Sequence, residues 1–165
     1  MKSLIATLCT LGVVGMVIGA AVLGASEATI TATVTVQKIS LTVSDGSVAY
    51  GIIPAGYSKS TCDLSDTQTV TNDGNVAEDF NIKGKDSENW TLAATAGENQ
   101  YVHKFATSSC PVTWGGTALT TSYQTMATNI PVNGSVTLNL QITTPTATNY
   151  YTEQDVSVMV MAVAH

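Results

Sequence analysis

Residues 29–44, "TITATVTVQKISLTVS", set two apolar alternations end to end. Ile30, Ala32, Val34 and Val36 fall on even positions; after Gln37-Lys38, Ile39, Leu41 and Val43 fall on odd ones. Successive side chains of a strand point to opposite faces, so a one-residue step in phase turns the whole apolar set over. One flat strand cannot carry both halves. The stretch therefore predicts two strands, 29–36 and 38–44, serving different faces. A β-bulge, a strand that switches sheets at a sandwich corner, a frayed tail, or a first strand given to a neighbouring molecule each account for the break.

Upstream of it, Met1-Lys2 is a charged start, and the run from Leu4 to Leu23 is almost wholly apolar. Ser26 and Ala28 then supply small residues. This predicts a secretory signal peptide over 1–28, cut after Ala28. The run also has nearly the length of a membrane span, so a retained anchor is the alternative. Cys9 follows Leu8 rather than the small residues of a lipoprotein signal, and reads as an apolar filler.

The remaining chain, 29–165, has the length of one domain with a two-layer core. It divides into an extension strand, 29–37, and a body, 38–165, without linkers or strong repeats. All six basic residues are Lys and none is Arg; with twelve acidic residues the net charge is −6. Phosphate binding needs a basic face, so nucleic acid is excluded as a partner, and a polybasic membrane patch is missing too. Once the leader is cut, no membrane attachment is expected.

About one residue in six is Thr, and Val is abundant, as suits a pleated surface. Turn signals recur at short intervals, among them "SDGS" (44–47), "NDGN" (72–75), "AGEN" (96–99) and "PVNGS" (131–135). The pattern predicts an all-β protein, an immunoglobulin-like or jelly-roll sandwich with an N-terminal extension strand. Strands are expected at 48–53, 67–71, 76–82, 88–94, 100–106, 122–127, 135–142 and 154–163. Two hairpins are expected, one across Asn72–Asn75 and one across Gly97. In 135–142, Val136, Leu138, Leu140 and Ile142 point inward. In 154–163, Val156, Val158, Val160 and Ala162 form one apolar face, and Met159, Met161 and Val163 make the opposite face apolar as well. A strand apolar on both faces is normally covered on both, here by a loop or a neighbouring subunit.

Export places Cys62 and Cys110 in an oxidising setting, where two thiols allow one intramolecular disulfide; two free buried thiols are the alternative. The only internal His, His103, sits in "QYVHKFA", where it shares a face with Tyr101 and Phe105 and reads as a surface or partly packed strand residue. The pairs Glu78-Asp79 and Asp63/Asp66 read as solvated turn and strand positions. Asp63, Asp66 and Asp73 lack the spacing of a known Ca²⁺ loop, and no Cys-x-x-Cys is present. No catalytic residue, metal or cofactor is expected, and the chain reads as a non-enzyme. Asn89-Trp90-Thr91 and Asn133-Gly134-Ser135 are glycosylation sequons, relevant only where the host glycosylates its exports.

The segment "TVTNDGNVAEDFNIKG" (69–84) resembles the paired strands of bacterial and archaeal extracellular immunoglobulin-like domains. The layout of leader, alternating strand and sandwich is similar to that of self-assembling fibre subunits, namely the archaeal bundling pilins and TasA/camelysin-type biofilm fibre proteins. That resemblance implies a homopolymer in which Ile30, Ala32, Val34 and Val36 fill a neighbour's groove as a donor strand. Burying four such side chains contributes about 6 kcal/mol before entropy costs. The expected role is a secreted subunit of a cell-surface appendage, with Met159, Met161 and Val163 as interface residues. The alternative is a monomeric module binding glycan or a cell surface through Trp90, Trp114, Tyr123, Tyr150 and Tyr151.

Overall fold

The computed structural model describes residues 25–165 apart from Thr113. Most of the predicted leader, with Cys9, lies outside the described residues. The chain divides into a unit ending at Val34 and a body, Thr35–His165. Residues 25–34 adopt neither strand nor helix, and Ile30, Ala32 and Val34 are exposed.

The body is an all-β sandwich-like fold. Its elements in chain order are β1 (Leu41–Val43), β2 (Ser58–Ser60), α1 (Thr61–Leu64), β3 (Gln68–Asn72), β4 (Glu78–Lys83), β5 (Thr91–Leu92), β6 (Gln100–Ala106), β7 (Thr117–Ala118), β8 (Gln124–Ile130), β9 (Ser135–Thr143) and β10 (Met159–Ala164). The larger sheet runs β1-β3-β9-β6-β5, with β7 on β6. The smaller runs β10-β4-β8.

β9 is the axis of the large sheet, because its alternation buries Leu138, Leu140 and Ile142 on one face. One edge pairs with β6 over Asn139–Thr143. The other is shared: β3 takes Ser135–Leu138 and β2 takes Gln141–Thr143. Between them the chain leaves the ladder as the single turn α1. Ser60 caps that turn, accepting from Asp63 N–H while the Asp63 carboxylate accepts from Ser60 N–H. Thr61 Oγ1 then accepts the Leu140 N–H at 3.0 Å and donates to Asn139 Oδ1 at 2.9 Å, replacing the missing strand partner. Cys62 on this turn bonds Cys110, with Cα atoms 5.7 Å apart.

The strands predicted at 67–71, 76–82, 100–106, 122–127 and 135–142 appear as β3, β4, β6, β8 and β9 within a few residues. Three expectations fail. Asn72–Asn75 does not join a hairpin: β3 lies in the large sheet and β4 in the small one, so this turn carries the chain between layers. The Asn72 side chain commits it, donating to Val76 O at 2.8 Å and to Ile130 O at 2.9 Å. The second hairpin is also absent, since β5 pairs β6 in parallel, Thr91 opposite Gln100. Finally, 48–53 and 154–158 form no strands, and only Leu41–Val43 of 38–44 is one; 29–36, expected to pair in a neighbouring copy, is in no ladder of the single chain.

The core lies between the sheets, with Phe80, Ile82 and Met126 from the small one facing Val70, Phe105, Leu138 and Leu140 from the large one. Val156, Val158, Val160 and Ala162 pack against it, on the face the alternation assigned to them. The two edges of the small sheet differ. β10 pairs β4 in unbroken register over all six residues. β8 slips register against β4 on both sides of Phe80. Near its end Asn129 turns to φ 54°, its N–H held by Asp79 Oδ1 at 2.8 Å.

The disulfide closes a span of 48 residues. On a chain-entropy account, replacing both cysteines by Ser lowers unfolding stability by about 4 kcal/mol, a loss measurable by urea denaturation against the oxidised wild type.

Candidate functional site

An open groove of about 1080 Å³ runs over the β9 face beside β10. Its floor is Leu138, Leu140 and Ile142, with Val43 of β1 and His103 of β6. Two segments line it. In the first, residues 47–53, Val48 and Tyr50 turn inward until Gly51, at φ 69°, breaks the phase and leaves Ile52 fully exposed and Ile53 half-buried; in the second, 154–158, Gln154, Val156 and Val158 turn inward while Asp155 and Ser157 face out. The period of two marks 154–158 as extended chain, and 48–50 as a shorter extended piece. The sequence anticipates both segments as strands, and reads alternation in the second, where the side chains behave accordingly.

Their backbones do not. Among the described residues, the main chain from Val48 to Ile53 receives one hydrogen bond, from Lys59 Nζ to Tyr50 O at 2.9 Å. Between Val156 and Val158 the main chain makes one, from Ser157 N–H to its neighbour Asp155 Oδ1 at 3.0 Å. β10 continues that second wall and pairs on one side alone. Strand edges left this way are templates for another strand.

Both walls are secured at their ends. Gln68, buried on β3, accepts from Ser44 Oγ and Gly46 N–H and donates to Ser47 O. Beyond Ile53, Pro54 O accepts Thr144 Oγ1 at 2.6 Å and Gly56 N–H reaches Pro145 O at 2.9 Å. On the second wall the Gln154 side chain accepts from Ser87 Oγ at 2.9 Å and Asn89 N–H at 3.1 Å. Lys85 pairs with the Asp155 carboxylate. That bond, helped by Ser157, holds Asp155 down to about 2.

In the floor, Tyr50 OH and His103 Nε2 lie 2.9 Å apart. His103 is 1% exposed, which corrects its reading as a surface or partly packed residue. Burial pushes its pKa down to about 4; the Val156 main chain opposes this without making a hydrogen bond of normal geometry to Nδ1. Desolvation raises Tyr50, so both partners are neutral at pH 7. The sequence missed the pair because 53 residues separate Tyr50 from His103.

The other candidate residues scatter. Trp90, Tyr150 and Tyr151 line the groove, Tyr151 fully on its rim at 86% exposure. Trp90 is half-buried, its Nε1–H donating to Thr148. Tyr123 lies elsewhere, under Lys83 Nζ at 4.6 Å, and Trp114 is not part of the lining. The five aromatics thus form no common platform. Met159, Met161 and Val163 are half-buried on the face of β10 away from the core. Asn133 is exposed in its turn and Asn89 half-buried. Glu78, expected on a solvated face, is fully buried. Asp63 is spent on its helix cap and Asp73 on Lys38; no cluster of metal-ligating side chains occurs among the described residues.

No protein-family model, curated protein or solved structure matches the chain. Groove geometry and chemistry alone bear on what it does.

The His103 shift has a consequence for stability. Its folded pKa lies below the ordinary value of about 6.5, so the unfolded chain binds the extra proton. Stability from this group is complete above pH 6.5 and declines as pH falls towards 4, by roughly 3 kcal/mol in all. Urea unfolding midpoints measured between pH 6.5 and 5, above the carboxylate range, should slope downward in the wild type and lie flat in His103→Gln.

Proposed function

We propose that the chain is a structural subunit of an extracellular filament, in which residues 29–36 of one copy lie in the groove of the next. The observation that carries this reading is the pair of groove walls, 48–53 and the extended 154–158, whose main chains have no strand partner among the described residues. Buried or half-buried backbone groups are normally paired, and an inserted strand pairs them.

The occupant matches the site in three ways. Ile30, Val34 and Val36 are 90%, 92% and 83% exposed, so their apolar surface is uncovered among the described residues. Their period of two suits a floor that is itself the inward face of a strand. Eight extended residues span about 26 Å at about 3.3 Å each, comparable with the seven residues of the Gln154–Val160 wall. A strand from one copy entering the groove of another is a head-to-tail contact, and such contacts make a filament when they do not close.

Export fits the same reading. The Cys62–Cys110 disulfide is compatible with an oxidising compartment, and among the described residues no helix is long and apolar enough to cross a membrane. The competing role, a monomeric glycan- or surface-binding module, would draw on Trp90, Tyr150 and Tyr151, which share the groove, without Tyr123 and Trp114, which lie outside its lining.

Electron microscopy of residues 29–165 after oxidative refolding should show filaments of one width at rising concentration. Val34→Asp should yield a folded monomer and no filaments, because a carboxylate cannot be desolvated against Leu140 without a partner. Mixing Val34→Cys chains with Val158→Cys chains should give a disulfide-linked dimer on gels. Dispersed wild-type monomers that are retarded on a polysaccharide column would establish the binding module instead.

A further inference from the structure

Where the N-terminal segment joins the body, the chain is gripped. The Asn75 side chain brackets Gln37: its Nδ2 donates to Val36 O at 2.8 Å and its Oδ1 accepts the Lys38 N–H at 2.7 Å. The Asn75 N–H donates to Lys38 O at 3.1 Å. One amide side chain thus does for residues 36–38 what a paired strand does elsewhere. One step on, Asp73 N–H reaches Ser40 O at 2.8 Å, and Ser40 N–H reaches Glu78 Oε1 at 2.8 Å. Lys38 Nζ closes over the turn onto Asp73 O at 2.9 Å and Asp73 Oδ2 at 3.0 Å.

This is more than a turn needs for its own geometry. Gly74 has no room for a side chain: a Cβ there would sit 2.2 Å from Glu78 Oε1 and 2.5 Å from Lys38 O. Asn72 Oδ1 takes the Gly74 N–H at 2.8 Å, while its Nδ2 holds β4 and β8 through Val76 and Ile130. Glu78 is the first residue of β4 and stands opposite Ala164 of β10. The grip on residues 36–40 is therefore continuous, through Glu78, with β4 and with β10, which continues the second wall of the groove.

We infer that Asn75, with Asp73 and Glu78, is a positioning clamp that makes residues 36–40 a fixed junction and passes tension from the N-terminal segment into β4 and β10. The inference rests on the filament reading for the tension, and on the monomer alone for the fixed junction. Each subunit then pulls on the next through a load path within the small sheet: clamp, β4, β10, and the strand lying against β10. Asn75 is the residue to test, because its side chain bonds the junction and its substitution leaves the buried Asn72 and Glu78 contacts in place.

The junction is read by hydrogen exchange in the Val34→Asp monomer. Adding Asn75→Ala should speed exchange at the Lys38 amide about tenfold, with the β4 and β10 amides unchanged. Equal Lys38 rates would overturn the fixed junction. The tension is read on filaments: Asn75→Ala chains should still polymerise, but with shorter persistence length and irregular twist by cryo-electron microscopy. Filaments of wild-type stiffness and twist would overturn the load path. Lys38→Met removes only the exposed pair with Asp73 and serves if Asn75→Ala does not fold; it should soften filaments in the same direction, and no change there counts against the clamp. Wild-type chains that never polymerise would remove the filament reading and the load path together, while the exchange comparison still decides the junction.

Discussion

β9 must hide Leu138, Leu140 and Ile142, and a three-stranded sheet is too narrow to cover the whole of that face. Phe80, Ile82 and Met126 cover part of it. The rest is covered by Val48, Tyr50, Val156 and Val158, carried on segments that belong to neither ladder. Apolar area is thereby removed from water, as folding requires, but the main chains of those segments keep hydrogen-bonding capacity in reserve. The groove, its unpaired walls and the anchoring of their ends by Gln68, Thr144 and Gln154 all follow from that mismatch in width.

A polar system offsets the cost of leaving the ladders so often. Thr61, Gln68, Asn72, Glu78 and Asn139 are buried, and each bonds main chain or another buried group at a place where a strand stops or changes sheet. Such groups stabilise a fold only when satisfied. Glu78 Oε2, Asn99 Oδ1 and His103 Nδ1 are exceptions among the described residues, buried without partners, and the first and last of them lie at the clamp and in the groove floor. The polar network marks the irregular places in the chain, and those are the places where assembly is proposed to act.

The regular strands were legible in the sequence because period-two alternation reports which side chains are buried. It was right for β9, where four inward residues were named, and for Val156 to Ala162. The same signal does not report what the backbone pairs with, so 154–158 reads as strand although, like 48–53, it joins no ladder among the described residues. Asn72–Asn75 shows a related limit. Asn-Asp-Gly-Asn is good turn chemistry, but whether the turn joins neighbours in one sheet or crosses between two depends on Val76 and Ile130 meeting Asn72, a long-range fact. The disulfide was legible by elimination, two thiols and one pairing. The burial of His103 and Glu78 was not, because partners 53 and 38 residues away supply it.

The contrast between β10 and β8 gives the small sheet a sense of direction. β10 offers a straight, regular margin; β8 is kinked by its register slips, and Asp79 already occupies the Asn129 N–H. A foreign strand therefore meets one hospitable border and one barred border on the same sheet. A sheet with two open borders can collect strands indiscriminately and grow into tangled aggregate. With β8 barred, the small sheet keeps one regular border, so a strand added to that sheet would join at β10 rather than on both sides.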